Sequence, residues 1–240
     1  MKPAAHQIRI LIHGASGRMG QALLRLASER DDISLVAAVS RAPPAQRVVD
    51  GVPHFATGEL HAVPGFDVAI DFSLPQGLDT ILALCIERGA ALVSGTTGLQ
   101  ALQHDALQQA STRIPMVWAA NFSLGVVVLS DLVERAAAAL PGWDCDIVES
   151  HHVHKKDAPS GTALALGASA GQGGALPRYA SLRAGDIVGE HVVQFTGLGE
   201  RIELTHRATH RDIFALGALH AATRLPGRAP GLYRLRDLLA

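Results

Sequence analysis

The sequence predicts an α/β protein: a parallel sheet covered by helices, then a smaller α+β domain with a mixed or antiparallel sheet. Three observations carry this. Short, uninterrupted apolar runs alternate with helical stretches over the first half of the chain, a glycine-rich turn directly follows the first of these runs, and two runs of alternating character meet at a turn near residue 197. Strands that are apolar throughout are covered on both faces, as in parallel sheets, whereas alternation marks a sheet with one wet face.

Taken in order, residues 8–12 form a β-rich run ending at Gly14, and residues 21–29 carry Leu23, Leu24 and Ala27 at helical spacing. Residues 33–39 are the next strand, which makes a unit of the size a parallel crossover needs. Residues 42–65 are rich in Pro, Gly and polar residues and hold one weak strand at His54-Phe55. The series continues with a strand at 66–72, a helix at 76–88, a strand at 90–94, a helix at 99–111 and a strand at 116–120. After Phe122 the pattern changes. A long apolar helix is expected at 124–139, a strand at 143–152 and a helix at 162–170. The alternating runs at 191–195 and 201–205, around the turn Thr196-Gly197-Leu198-Gly199, read as an antiparallel pair. Residues 211–224 and 231–239 are expected to be helical and to return to the first domain. The domains are therefore 1–122 completed by 211–240, and 123–210.

Composition narrows the function. The 240 residues hold 21 Lys and Arg against 22 Asp and Glu, so bulk charge favours neither nucleic acid nor an anionic membrane. Hydrophobic residues make up 48 %, which excludes a disordered chain. Cys85 and Cys145 match no ligand or redox spacing and read as free thiols of a cytoplasmic protein. The longest uncharged run, 114–130, contains Pro115, Asn121 and Gly125 and is no membrane helix. Twelve His stand against six Phe, two Trp and two Tyr, so titratable rings outnumber large apolar ones and a site chemistry is worth seeking.

The first strand–helix junction reads Gly14, Ala15, Ser16, Gly17, Arg18, Met19, Gly20. Glycines there allow a tight turn and bring backbone N–H groups close to a phosphate, and the helix N-terminus adds partial positive charge. A Gly-rich turn alone is weak evidence, because many such turns bind nothing; its place between strand and helix makes the domain Rossmann-like and dinucleotide binding the favoured reading. At the end of the second strand, where a carboxylate would hold the ribose of NAD, the chain has Ser40-Arg41. Arg41 can pair with a 2′-phosphate, which points to NADPH, with NADH as the second cofactor; a solvated surface Arg is the bland alternative. Two later strand ends carry Gly95, Thr96 and Thr97, and Ala119, Ala120, Asn121 and Phe122. Each is an ordinary loop alone and gains weight from lying in series at strand carboxyl ends.

The segment from Glu149 to Thr162 is the most informative. It places His151, His152, His154, Lys155 and Lys156 at a strand end, followed by Pro159-Ser160-Gly161-Thr162 at a helix start. A zinc site lacks a fourth ligand at familiar spacing, and adjacent His on a strand face opposite ways, so no metal is expected. A solvated basic loop is the bland reading. The reading that uses the whole segment is an acid/base site for an anion. His exchanges a proton near neutral pH, Lys supplies charge or a proton, and the helix N–H groups hold a carboxylate. That set suits a small dicarboxylate. The remaining nine His carry no assigned role.

This segment resembles the signature of the 4-hydroxy-tetrahydrodipicolinate reductase family, also called dihydrodipicolinate reductase. The resemblance extends to Gly14 to Gly20, Ile70-Asp71-Phe72-Ser73, Gly95-Thr96-Thr97-Gly98, Ala119 to Ser123 and Arg183 to His191. It implies an oxidoreductase of the diaminopimelate route to lysine, reducing a cyclic unsaturated dicarboxylate with hydride from NADPH or NADH. The implied chemistry is loss of the 4-hydroxyl as water, hydride addition at ring C4, and protonation at the neighbouring carbon. It further implies His151 as proton donor and acceptor, Lys155 as second donor, and substrate contacts from His152, Gly161 and Thr162. The cofactor would lie on Gly14, Ala15, Ser16, Gly17, Arg18 and Met19, on Gly95, Thr96 and Thr97, and on Ala119, Ala120, Asn121 and Phe122, with Arg41 at the adenine ribose. The family is usually a homotetramer joined through the sheets of its second domain. Two departures stand out: Ser40 replaces a common acidic residue, and residues 171–182 are shorter than the family's loop. The alternative of a non-catalytic NADP(H)-binding sensor is opposed by the intact Lys155, Gly161 and Thr162.

Overall fold

The computed structural model describes residues 7–239. Two compact units divide the chain: the first runs to Phe122 and resumes at Phe214, and the second is Ser123–Ile213.

The first unit is built on an eight-stranded sheet. Its strands are β1 (Ile8–His13), β2 (Ile33–Ser40), β3 (Val48–Val49), β4 (Val52–Ala56), β5 (Val68–Asp71), β6 (Ala91–Ser94), β7 (Pro115–Trp118) and, from the end of the chain, β12 (Gly231–Tyr233). The order is β12-β7-β6-β5-β1-β2-β4-β3, and every pairing is parallel except β3 with β4. Every residue of β5 and β6 is buried, as their unbroken apolar runs require. Helices α1 (Arg18–Ser28), α2 (Pro75–Arg88) and α3 (Ala101–Ala110) fill the crossovers. One core joins Leu78, Ile81 and Leu82 of α2 and Leu107 of α3 to Leu11, Ala69, Leu92 and Met116 of the strands. Helix α6 (Asp212–Ala222) buries Ala215, Ala218 and Leu219.

The second unit packs α4 (Leu124–Ala139) and α5 (Gly161–Gln172) on a four-stranded sheet of β8 (Asp144–His151), β9 (Pro177–Arg183), β10 (Gly189–Thr196) and β11 (Arg201–Ala208), ordered β11-β10-β8-β9. Strand β10 alternates buried and half-buried residues along its length, the burial signature of a one-faced sheet.

One expectation needs correction. Residues 231–239 are not a helix: β12 joins the sheet edge beside β7, and a 3₁₀ turn follows at Leu235–Leu238. Gly231 and Tyr233 flank one apolar residue, a pattern too short to distinguish strand from helix without the partner. Of the two expected forms the second sheet is the mixed one, because β9 runs parallel to β8. Most β9 residues are exposed, so no apolar pattern announced the strand.

Among the described residues, no helix is long and apolar enough to cross a membrane.

Candidate active site

In the first unit the candidate residues gather at the carboxyl ends of the parallel strands. Gly14 follows β1 with φ +83°, and a Cβ there would lie 2.5 Å from the Phe72 carbonyl oxygen, so only glycine fits. A Cβ at Gly20 would strike the Gly14 carbonyl in the same way. Gly17 donates its N–H to the Gly14 carbonyl and caps α1 without any side chain, which leaves the first-turn amides beginning at Arg18 and Met19 without a side-chain cap. Glycine at 14 and 20 thus lets the turn pack against Phe72 and α1 pack against the turn, and it leaves the α1 amides as the groups able to face an anion. Ala15 and Ser16 begin a groove of about 600 Å³ that also touches Ser40, Ala42, Asp50 and His54. Ser40 is buried at the end of β2, and Arg41 beside it is exposed.

Gly95 lies against Phe72, whose ring a Cβ would strike, and the Phe122 ring stands 5.6 Å from the Phe72 ring. Phe72 is therefore the common neighbour of three predicted segments. Thr97 and Ala120 are exposed and Ala119 and Asn121 half-buried. Thr96 turns inward: its hydroxyl donates to Asp71 at 2.8 Å, and its carbonyl accepts from the Trp118 indole. Asp71, fully buried, also takes His13 Nδ1 at 2.8 Å, the Ser94 hydroxyl at 2.9 Å and the Ser73 N–H. Burial alone favours the neutral acid, but donation from His13, Ser73 and Thr96 outweighs it and holds Asp71 below the usual carboxylate range.

In the second unit, β8 alternates so that Cys145, Ile147, Glu149 and His151 share the inner face. Strand β10 places Phe195, Val193 and His191 beside them. The inner face is thus apolar at one end and polar at the other. His151 Nδ1 lies 2.5 Å from Glu149 Oε2. Arg183 of β9 grips Glu149 with both terminal nitrogens, at 2.9 and 2.7 Å, and the Ser160 N–H adds a bond at 3.2 Å. Glu149 has no exposed surface. Burial pushes its pKa up, but bonds from Arg183, Ser181 and His151 prevail and hold it at about 2. His151 is pulled below its ordinary value by burial, against the raising effect of Glu149 and with smaller lowering from Lys155 and Arg183. His191 meets His151 edge to face at 5.2 Å and bonds Ser160 Oγ at 3.0 Å; burial lowers it to about 4.

The three clustered His therefore part company. His151 points inward, while His152 is half-buried beside Arg211 and His154 is exposed. Among the described residues no three His, Cys, Asp or Glu side chains are grouped to hold a metal ion. Lys155 pairs with Asp157 at 2.9 Å, and the Gly161 N–H that opens α5 bonds the same carboxylate. Thr162 follows in the first turn, and Ser160 caps the helix by accepting from the Ala163 N–H. The sequence reading gave no role to Glu149, Arg183 or His191. The signal for Glu149 and His191 was the alternation of β8 and β10, which puts polar residues where the core face should continue; Arg183, on the mostly exposed β9, had none.

Comparison with known proteins agrees with this geometry. The chain matches "Dihydrodipicolinate reductase, N-terminus" over residues 8–122 and "Dihydrodipicolinate reductase, C-terminus" over residues 125–239. It is 73 % identical over 233 residues to the 4-hydroxy-tetrahydrodipicolinate reductase of Stenotrophomonas maltophilia (strain K279a), covering 97 % of this chain and 98 % of that protein.

The chain belongs to the dihydrodipicolinate reductase family.

The enzyme of the same name from Xanthomonas campestris pv. campestris (strain B100) is 69 % identical over 232 residues, again covering 97 % of this chain and 98 % of that protein. The fold matches the dipicolinate-bound dihydrodipicolinate reductase from Paenisporosarcina sp. TG-14 with a TM-score of 0.81 at 23 % identity, over 97 % of this chain and all of that one. GenD2 from gentamicin A biosynthesis, solved with NAD, shares the fold at a TM-score of 0.67 and 12 % identity, over 99 % of this chain and 91 % of that one. The chain is accordingly an oxidoreductase of the lysine and diaminopimelate route, and the non-catalytic sensor is not favoured.

The Glu149 network makes stability depend on acid. A carboxylate depressed on folding stabilises fully above its unfolded pKa of 4.5 and loses that contribution as pH falls toward about 2. Urea unfolding midpoints should fall between pH 5 and pH 2, and Glu149→Gln should flatten that decline. An equally steep decline in the variant would show that Glu149 is not among the groups responsible.

Proposed function

We propose that the chain reduces 4-hydroxy-tetrahydrodipicolinate to tetrahydrodipicolinate, with NADPH preferred over NADH. The first unit is the cofactor domain and the second the substrate and association domain. The observation that carries the reading is the corner formed by His151, Lys155 and the start of α5. Lys155 and the Gly161 N–H already hold a carboxylate, that of Asp157, so this corner is chemically an anion site. A substrate carboxylate takes the place of Asp157 there, with His152 and Thr162 beside it. Dipicolinate bound to the Paenisporosarcina enzyme is a ligand of that chemistry.

When bound, the nicotinamide cofactor supplies the hydride. The backbone from Gly14 to Met19 would hold its pyrophosphate. Gly95 to Thr97 and Ala119 to Phe122 would line the rest of the cofactor path, with Arg41 at the 2′-phosphate. Thr96 contributes through backbone, since its hydroxyl is committed to Asp71. His151 gives the proton that completes the reduction, and Lys155 orients the dianion and is the second donor. Burial keeps His151 neutral in the free protein near pH 7. A dianion beside it favours the imidazolium, so the substrate itself loads the proton it will receive.

Self-association through the second unit's sheet, as a homotetramer, is supported by an outer row in register, Ala180–Val148–Val192–Thr205, that no helix of that unit covers. The enzyme works in the cytoplasm, consistent with the free thiols of Cys85 and Cys145.

Turnover of the dicarboxylate should drop by more than ~100-fold in His151→Gln and Lys155→Ala, the scale of a lost proton-transfer group. Near-normal rates in both would sink the assigned roles. Arg41→Ala should narrow the gap between NADPH and NADH affinity, and an unchanged ratio would show that Arg41 does not read the 2′-phosphate. Dipicolinate binding should take up protons, seen by calorimetry in buffers of different ionisation heat, and should weaken as pH rises from about 6 to 8 around the His range. Affinity flat across that range would contradict proton loading by the ligand.

A further inference from the structure

We propose that Glu149, oriented by Arg183, is a positioning residue that fixes the tautomer of His151, so that Nδ1 carries a hydrogen toward the carboxylate and Nε2 is the atom that exchanges the proton with substrate. The inference rests on the reading of His151 as proton donor and adds the atom and the groups that select it.

The argument is one of donors and acceptors. An ionised carboxylate only accepts, so the nitrogen facing it must carry hydrogen. Arg183 only donates, and it donates to both oxygens of Glu149. The carboxylate therefore cannot rotate away, and its charge is held by a bidentate pair with no exposed surface on Glu149. Nε2 is left for chemistry. Gly189 faces it, and a Cβ there would stand only 3.0 Å from Nε2, so glycine keeps that approach clear.

The charged neighbours from each packed element agree. Strand β8 contributes Glu149, β9 contributes Arg183, β10 contributes His191, and the loop contributes Lys155. Glu149 raises the ring's pKa by more than the farther Arg183 lowers it. His191, bonded to Ser160 and held neutral by burial, adds no charge. Glu149 is thus the group that favours the imidazolium against burial and Lys155.

An amide in place of the carboxylate separates positioning from bulk. In Glu149→Gln the Oε1 side faces two obligate donors, Arg183 Nη2 and the Ser160 N–H. The amide oxygen turns to them, because the Oε2 side faces a single obligate donor, Arg183 Nη1, and its NH₂ then faces that nitrogen and His151 Nδ1. The ring is driven to the Nε2–H tautomer, which cannot take up at Nε2 the proton it is to give, and loses the anion that favours its charged form.

The test is ¹⁵N NMR of the imidazoles across pH, with His151 assigned by its loss in His151→Asn. Wild type should show the Nδ1–H tautomer above its titration. Glu149→Gln should show Nε2–H and titrate about 1 unit lower, the lower end of the effect of a nearby opposite charge. With that, kcat should fall about 10²-fold, the low end of what a positioned acid contributes, with KM for the dicarboxylate within about threefold. An Nε2–H ring in wild type, or an unchanged tautomer and rate in the variant, overturns the proposal. The wild-type spectrum decides it even where the variant does not fold. The NMR arm needs no turnover, so a wild-type chain without reductase activity would refute the reductase reading and not this one.

Discussion

A carboxylate removed from water must be saturated with donors, because desolvation costs several kcal/mol per ion. Glu149 meets that demand by drawing on separate elements at once: His151 on its own strand, Arg183 and Ser181 from β9, and the Ser160 N–H at the cap of α5. Arg183 also donates to the Asp157 carbonyl, so the loop that bears Lys155 is tied to the same centre. The positions of His151, of Lys155 and of the start of α5 thus follow from one buried charge. Remove its partners and the uncompensated ion, rather than any lost contact, becomes the dominant cost.

The first unit solves a comparable problem with Asp71. It sits where apolar strands end, and it collects His13 from β1, and Ser94 and Thr96 at the end of β6. Gly14 of the turn after β1 and Gly95 of the later loop crowd around Phe72, the next residue. In both units the sheet interior is apolar upstream and changes, at the strand ends, to one carboxylate with a full set of donors. Rigid scaffolding and polar chemistry meet at that boundary, which is where a preorganised site is cheapest to build.

Local electrostatics then assign different states to similar rings. His191 is buried and bonded to Ser160, and its low pKa keeps it neutral. His151, 5.2 Å away, has an anion at one nitrogen and the bare backbone of Gly189 beside the other. Identical side chains on adjacent strands meet different environments because one faces a carboxylate and the other a hydroxyl. Composition alone treats all twelve His alike.

Much was legible without coordinates, and the reasons are local. Unbroken apolar runs identify the parallel strands because burial on both faces leaves no polar position. The turn from Gly14 to Gly20 is readable because only glycine tolerates the Phe72 carbonyl beside it. The His151 to Thr162 segment stands out because histidines, a lysine and a helix start are contiguous there. What only the tertiary structure decided is nonlocal. Strand β9 is mostly exposed and β12 has three residues, so each is defined by its neighbour in the sheet. Arg183 lies 34 residues from Glu149, and their pairing exists only because β9 runs parallel to β8. Hydrogen bonds across strands join residues that the chain keeps far apart, and a buried charge chooses its partners by that geometry.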